Sequence, residues 1–206
     1  GINTNYILTI SQKSDNQLHF NLQTDDNNFN RLYLSYACDN NEQFFSCGEQ
    51  PSNLNHKGKR VPILVQEQGI GRGDDLTNNA IVNGIVNLTL GSSVGDEYTS
   101  YKVVPQYISS KSNALYLENY EYSEFDFTKN NEIQIELYAN KLQASIIYAE
   151  NPYQAIEEYT SYCGRMQPLP AWISTGAVIG MQGGTAKLYD VWNKMQQADV
   201  PISAFW

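Results

Sequence analysis

From residue 6 to about residue 148, apolar and polar positions alternate with a period of two. Tyr6-Ile7-Leu8-Thr9-Ile10 opens one run, and Leu18-His19-Phe20-Asn21-Leu22 follows after a polar turn. Arg31 to Ala37 alternates through Leu32, Leu34 and Tyr36, and a tyrosine-rich run places Tyr116, Glu118, Tyr120 and Tyr122 at alternate positions. Ile133, Ile135 and Leu137 share one parity, as do Leu142, Ala144, Ile146 and Tyr148. In an extended chain, residues two apart point to the same face, so these runs predict strands with one apolar side. Polar clusters at Asp25–Asn28 and Lys129–Asn131 supply the turns. Many short alternating strands between polar turns predict an antiparallel β-sandwich. The stretch from 47 to 102 is less regular, and irregular segments carry function more often than stability.

After residue 150 the period changes. Asn151-Pro152 is a helix start, because Asn caps free amides and Pro fits the first turn. Tyr153, Ile156, Tyr159 and Tyr162 then follow helical spacing, and Gly164 suits a left-handed stop. Met166-Gln167-Pro168-Leu169-Pro170 cannot continue a helix and marks a boundary, giving domains 1–165 and 166–206. Ala177-Val178-Ile179 reads as a short strand, Gln182-Gly183-Gly184 as a turn, and Thr185 or its neighbour as the cap of a second helix. Leu188, Val191, Trp192 and Met195 form that helix's apolar stripe, and Ile202 to Trp206 is a second strand. This is one β-α-β unit of a parallel α/β fold. Parallel strands are normally covered on both faces, which one unit cannot do alone. The apolar run Val200-Pro201-Ile202-Ser203-Ala204-Phe205-Trp206 therefore carries the expectation that the fold continues past residue 206. A small appendage packed on the sandwich is the alternative.

Composition narrows the function without naming it. The 206-residue chain is 41% hydrophobic and carries a net charge of −9. Nucleic acid as a partner is disfavoured, because phosphate binding needs clustered Lys and Arg. No run reaches the roughly 18 apolar residues of a membrane span, so no membrane partner is expected. Cys38, Cys47 and Cys163 are too few and scattered for a disulfide framework and read as buried thiols. Neither His19 nor His56 has a second His or Cys at ligand spacing, so no metal is expected.

Three stretches then carry a resemblance: Phe45-Ser46-Cys47-Gly48-Glu49-Gln50, Glu67-Gln68-Gly69-Ile70-Gly71-Arg72 and Gly180-Met181-Gln182-Gly183-Gly184. In that order, between a strand-rich body, Pro-Leu-Pro-Ala-Trp and a β-α-β unit, they resemble glycoside hydrolase family 31, most closely its sulfoquinovosidase branch. The resemblance implies a galactose-mutarotase-like sandwich followed by the start of a (β/α)8 barrel. It implies retaining hydrolysis of an α-glycoside, with one carboxylate attacking the anomeric carbon and a second acid protonating the leaving oxygen. In the family both are aspartates at the tips of later barrel strands, so no catalytic residue is assigned within 1–206, and the chain alone is expected to be inactive. Most sulfonate-gripping residues would also lie downstream. No cofactor is implied, since a carboxylate nucleophile and a proton donor suffice for acetal chemistry.

Three substrate-binding residues remain as candidates. Glycines 69 and 71 permit turns that would let Glu67 and Arg72 point together, and relatives use this loop to hold the leaving group; an internal Glu–Arg pair is the structural alternative. Gln182 follows the first barrel strand, where an amide can both donate to and accept from sugar hydroxyls; a backbone-bonded turn residue is its alternative. Asp74-Asp75 reads as a solvated turn, and Glu157-Glu158 as a solvated helix face. The tyrosines from 116 to 122 fit packing or a sugar platform. For the chain as a whole, a non-catalytic carbohydrate-binding sandwich or a purely structural domain are the competing readings.

Overall fold

The period-two pattern becomes ten antiparallel strands among the described residues up to Tyr148. They are β1 (Tyr6–Ser14), β2 (Gln17–Thr24), β3 (Leu32–Ala37), β4 (Phe44–Gly48), β5 (Arg60–Ile63), β6 (Val103–Ser109), β7 (Asn113–Leu117), β8 (Ser123–Asp126), β9 (Glu132–Leu137) and β10 (Lys141–Tyr148). The computed structural model describes residues 4–26, 28–66 and 97–206. It divides the chain into two compact units, Gly1–Cys163 and Gly164–Trp206.

In the first unit one sheet has the order β1-β2-β10-β7-β6-β4 and the other β3-β9-β8-β5. A single apolar cluster draws on both. Phe44, Tyr107, Leu115, Leu142 and Ala144 come from the six-stranded sheet, and Val61, Phe125, Ile133, Ile135 and Leu137 from the four-stranded one. Phe44 stacks on Phe127 at 4.6 Å, and Tyr107 meets both rings edge-on. Burying such rings contributes roughly 1.5–3 kcal/mol each, and the packed geometry adds to that. The two prolines in the sheets sit where their missing N–H costs least. Pro62 is on edge strand β5, and Pro105 lies opposite the bulge between Ser46 and Gly48.

The second face of the six-stranded sheet is covered at β7 and β10 by α1 (Pro152–Cys163). Asn151 Oδ1 accepts the Gln154 amide at 3.0 Å, so the expected cap is present, and Gly164 has φ +88°. Ala155 of the helix is buried against Ala114, Tyr116 and Ile147. Ile147 has the opposite parity to the apolar set expected in this strand; it is buried because β10 has both faces covered.

Three expectations change. The tyrosine run is not one strand: Tyr116 lies in β7, while Tyr120 and Tyr122 lie in the turn before β8. Of the three cysteines, all free thiols, only Cys47 is buried; Cys38 is half-buried and Cys163 exposed. The second helix is capped at Gly183 with no side-chain cap, and Thr185 lies within it, because the two glycines ahead of it already adopt left-handed φ values of +121° and +75°.

In the second unit a 3₁₀ turn (Ala171–Ser174) leads into β11 (Ala177–Ile179), α2 (Gly184–Gln197) and β12 (Ile202–Phe205). The two strands pair in parallel, so the unit is β-α-β. Leu188, Val191 and Met195 are half-buried along α2, and Trp192 meets Phe205 at 6.1 Å.

Candidate functional site

The parallel pairing in the second unit fixes where its two strands end. Ala177 donates to the Pro201 carbonyl, Trp206 to that of Ile179 and Met181 to that of Trp206, so the ladder extends one step past β11 and β12. Two glycines permit the close approach. A Cβ on Gly176 would meet the Pro201 carbonyl at 2.7 Å, and one on Gly180 would meet the Trp206 indole at 3.0 Å. At the carboxyl ends of both strands, a concavity of about 190 Å³ is lined by Met181, Gln182, Gly184, Leu188, Phe205 and Trp206. In parallel α/β folds this end holds ligands, because the loops and helix amino-termini converge there. Gln182 is exposed at this mouth beside an open indole face. A neutral amide and an aromatic ring can together bond hydroxyls and stack on the apolar face of a sugar. Trp206 drew no role from the sequence pattern, although Gly180, which makes room for its ring, was an available signal.

Glu67, Arg72 and Asp74-Asp75 lie outside the described residues. Their flanks are fixed: Gln66 donates to the Ser100 carbonyl at 3.0 Å, and Val65 bridges Ser100. The Phe45–Gln50 stretch forms a strained corner. Ser46, Cys47 and Gly48 have φ values of +88°, +64° and +85° in succession, and a Cβ on Gly48 would lie 2.5 Å from the Lys102 carbonyl oxygen. The corner is pinned by Glu49 N–H to Lys102, by Ser46 Oγ to Gln106 and by His56 Nε2–H, which donates to the Ser46 carbonyl at 3.0 Å. Burial depresses the His56 pKa, with Lys59 adding to the effect and the Ser46 bond opposing it. Burial also pushes the Cys47 thiol up, so it is a packed group and no nucleophile. Glu157 and Glu158 lie on α1, the first exposed and the second half-buried.

Among the described residues no cluster of His, Cys, Asp and Glu could hold a metal, and no helix is long and apolar enough to cross a membrane.

Comparison with known proteins gives a consistent neighbourhood. The chain is 29% identical over 97% of its length to the sulfoquinovosidase of Escherichia coli (strain K12), of which it covers 29%. It is 29% identical over 88% of its length to the sulfoquinovosidase of Agrobacterium fabrum, of which it covers 26%. Among solved structures, a GH31 family sulfoquinovosidase from E. rectale, in complex with an aza-sugar inhibitor, superimposes with a TM-score of 0.85 over 98% of this chain at 26% identity; the match covers 29% of that chain. A Flavobacterium johnsoniae GH31 dextranase at 16% identity and TM-score 0.66 shares the fold. No family model matches. The chain thus spans less than a third of the length of the curated relatives it matches. The resemblance to glycoside hydrolase family 31 and its sulfoquinovosidase branch is borne out in sequence and in fold, and the mainly antiparallel-β architecture fits the amino-terminal part of such enzymes.

Proposed function

We propose that this chain is the amino-terminal part of a retaining α-glycoside hydrolase acting on α-sulfoquinovosides. Residues 1–165 would be a galactose-mutarotase-like sandwich, and 166–206 would begin a (β/α)8 barrel whose mouth is the concavity beside Gln182. The single observation that carries this reading is that concavity: an amide and an indole at the carboxyl ends of two parallel strands, the end where barrel enzymes bind substrate. Gln182 then bonds sugar hydroxyls, and Glu67 and Arg72 are further substrate-binding residues. The nucleophile and the acid are two aspartates supplied by chain beyond residue 206, about 5–5.5 Å apart as double displacement requires. The acid protonates the glycosidic oxygen as the nucleophile attacks the anomeric carbon. Water then cleaves the glycosyl ester, with the same acid, now a base, taking its proton.

The test uses 4-nitrophenyl α-sulfoquinovoside. Residues 1–206 release no nitrophenol, whereas the full-length protein does, and the first-formed sugar is the α-anomer by proton NMR. Turnover by 1–206 would refute the location of the acids, and a β-anomer product would refute retention. In the full-length protein Gln182→Ala lowers kcat/KM about tenfold to a hundredfold, the loss of one or two well-placed hydrogen bonds.

A further inference from the structure

The turn between β7 and β8 holds a ring that no packing requirement explains. Tyr116, in β7, is buried and stacks on Tyr162 at 4.7 Å. Tyr122 packs edge-on against Tyr138 and donates to Glu124. Tyr120, between them, is 100% exposed. The turn that carries it is rigid. Asn119 Oδ1 accepts the Gln143 amide, and its Nδ2 donates both to the Lys141 carbonyl and to Glu121 Oε2. The Tyr120 amide donates to the same Glu121 oxygen at 3.2 Å. These bonds, with that from Asn119 first, favour the ionised form, so the Glu121 carboxyl is held below its ordinary range.

Tyr120 and Glu121 stand on the wall of a groove of about 690 Å³, within the 300–1,000 Å³ span of small-molecule sites. Leu64, Val103 and Pro105 give it an aliphatic part of its lining, and Tyr162 lines it as well. Among the described residues the lining has no Lys or Arg; its only charges are Glu118 and Glu121. Glu118 is already engaged by Lys13 at 2.6 Å and by His19 at 3.3 Å. The polar wall is therefore rich in acceptors, and the chain as a whole is negative, so an anionic ligand is disfavoured. A ligand that fits has one flat apolar face for an open phenol ring and several O–H donors for a fixed carboxylate.

We propose that this groove binds a neutral glycan, a pyranose stacking on Tyr120 and donating its hydroxyls to Glu121. Among the described residues the groove is lined from the first unit, so the proposal does not rest on the reading of the strand-end concavity.

The test is titration of the chain with maltotriose, glucose 6-phosphate and glucosamine, followed by calorimetry and by amide NMR. Maltotriose saturates the protein, with shifts centred on residues 119–122 and Tyr162, and glucose 6-phosphate binds at least about tenfold more weakly. Tyr120→Ala weakens maltotriose about tenfold, the range of one ring-stacking contact. Tyr120 makes no buried contact, so this variant keeps its fold, and the isosteric Glu121→Gln provides a second, independent loss. Four results overturn the proposal: no saturable maltotriose binding, binding undiminished in both variants, tighter binding of glucosamine than of the neutral sugar, or shifts centred on Gln182 and Trp206. The last would move the sugar to the strand-end concavity and leave the reading of that concavity intact.

Discussion

Gly48 and Gly58 separate two costs that glycine usually hides. Both have φ near +80°, which favours glycine by about 1–2 kcal/mol over a residue with a Cβ. Around Gly58 there is open space, whereas a Cβ on Gly48 would lie 2.5 Å from one backbone atom and 2.6 Å from another. Gly58→Ala should therefore cost about 1–2 kcal/mol, and Gly48→Ala at least about 3, measured by urea denaturation. Equal losses would mean the corner relaxes freely. His56 clamps the same corner and adds a pH dependence. Its imidazole is buried, Nδ1 has no hydrogen-bond partner among the described residues, and its pKa lies below the ordinary 6.5. Between the folded and unfolded values, the unfolded chain binds more protons. Its contribution is complete above the unfolded value and is lost as the pH falls from about 6.5 towards the lower folded value. A His56→Gln variant should lose that part of the slope; an unchanged slope would assign it to other groups. None of this corner was legible beforehand, because Ser46 and Cys47 are not residue types that announce a left-handed backbone.

At the scale of elements, period two located strands well and their surroundings less well. In β9 one face meets the core, so Ile133, Ile135 and Leu137 are all buried, while on the other face Glu136 is buried too, engaged by Arg31 and Tyr33. In β1 the same alternation marks a strand whose Tyr6, Ile7, Leu8 and Ile10 are all exposed, since among the described residues this edge strand pairs only with β2. Period reports extension, and burial depends on what lies opposite. The tyrosine run misled for the related reason that alternation continued by chance through a turn, where hydrogen bonds of Asn119 set the backbone. Helix α1 was legible because its cap is local. Asn151→Ala should cost about 1 kcal/mol, with the loss recovered by Asn151→Asp or Asn151→Ser, whose side chains can also accept from Gln154. Failure of both replacements to recover it would show that Asn151 acts by another contact. Of the candidate site, Gln182 was legible from its place after a strand, while its neighbour Trp206 depended on a parallel register that spacing alone does not fix.

The two units of the molecule differ in what holds them. The first has a continuous core that includes eight side chains or more with essentially no exposure, among them Phe44, Leu115, Phe125, Ile135 and Leu137. In the second, no residue from 164 to 206 is buried, and Trp172, Val178 and Trp206 are half-exposed or more. Its order rests on a short parallel ladder and on partial cover by α2. Parallel strands with an open face lack most of the burial that offsets chain entropy, so local opening should cost little there. Amide hydrogen exchange on this chain tests the difference directly. Strands β7, β9 and β10 should exchange only through global unfolding, with urea-dependent rates. The amides of Ala177, Met181 and Trp206, though hydrogen-bonded, should exchange orders of magnitude faster, with little dependence on urea. Equal protection in both units would mean that the second is as well covered as the first. Fast exchange at the ladder would instead place the low-stability part of the chain at the same strand ends that carry Gln182.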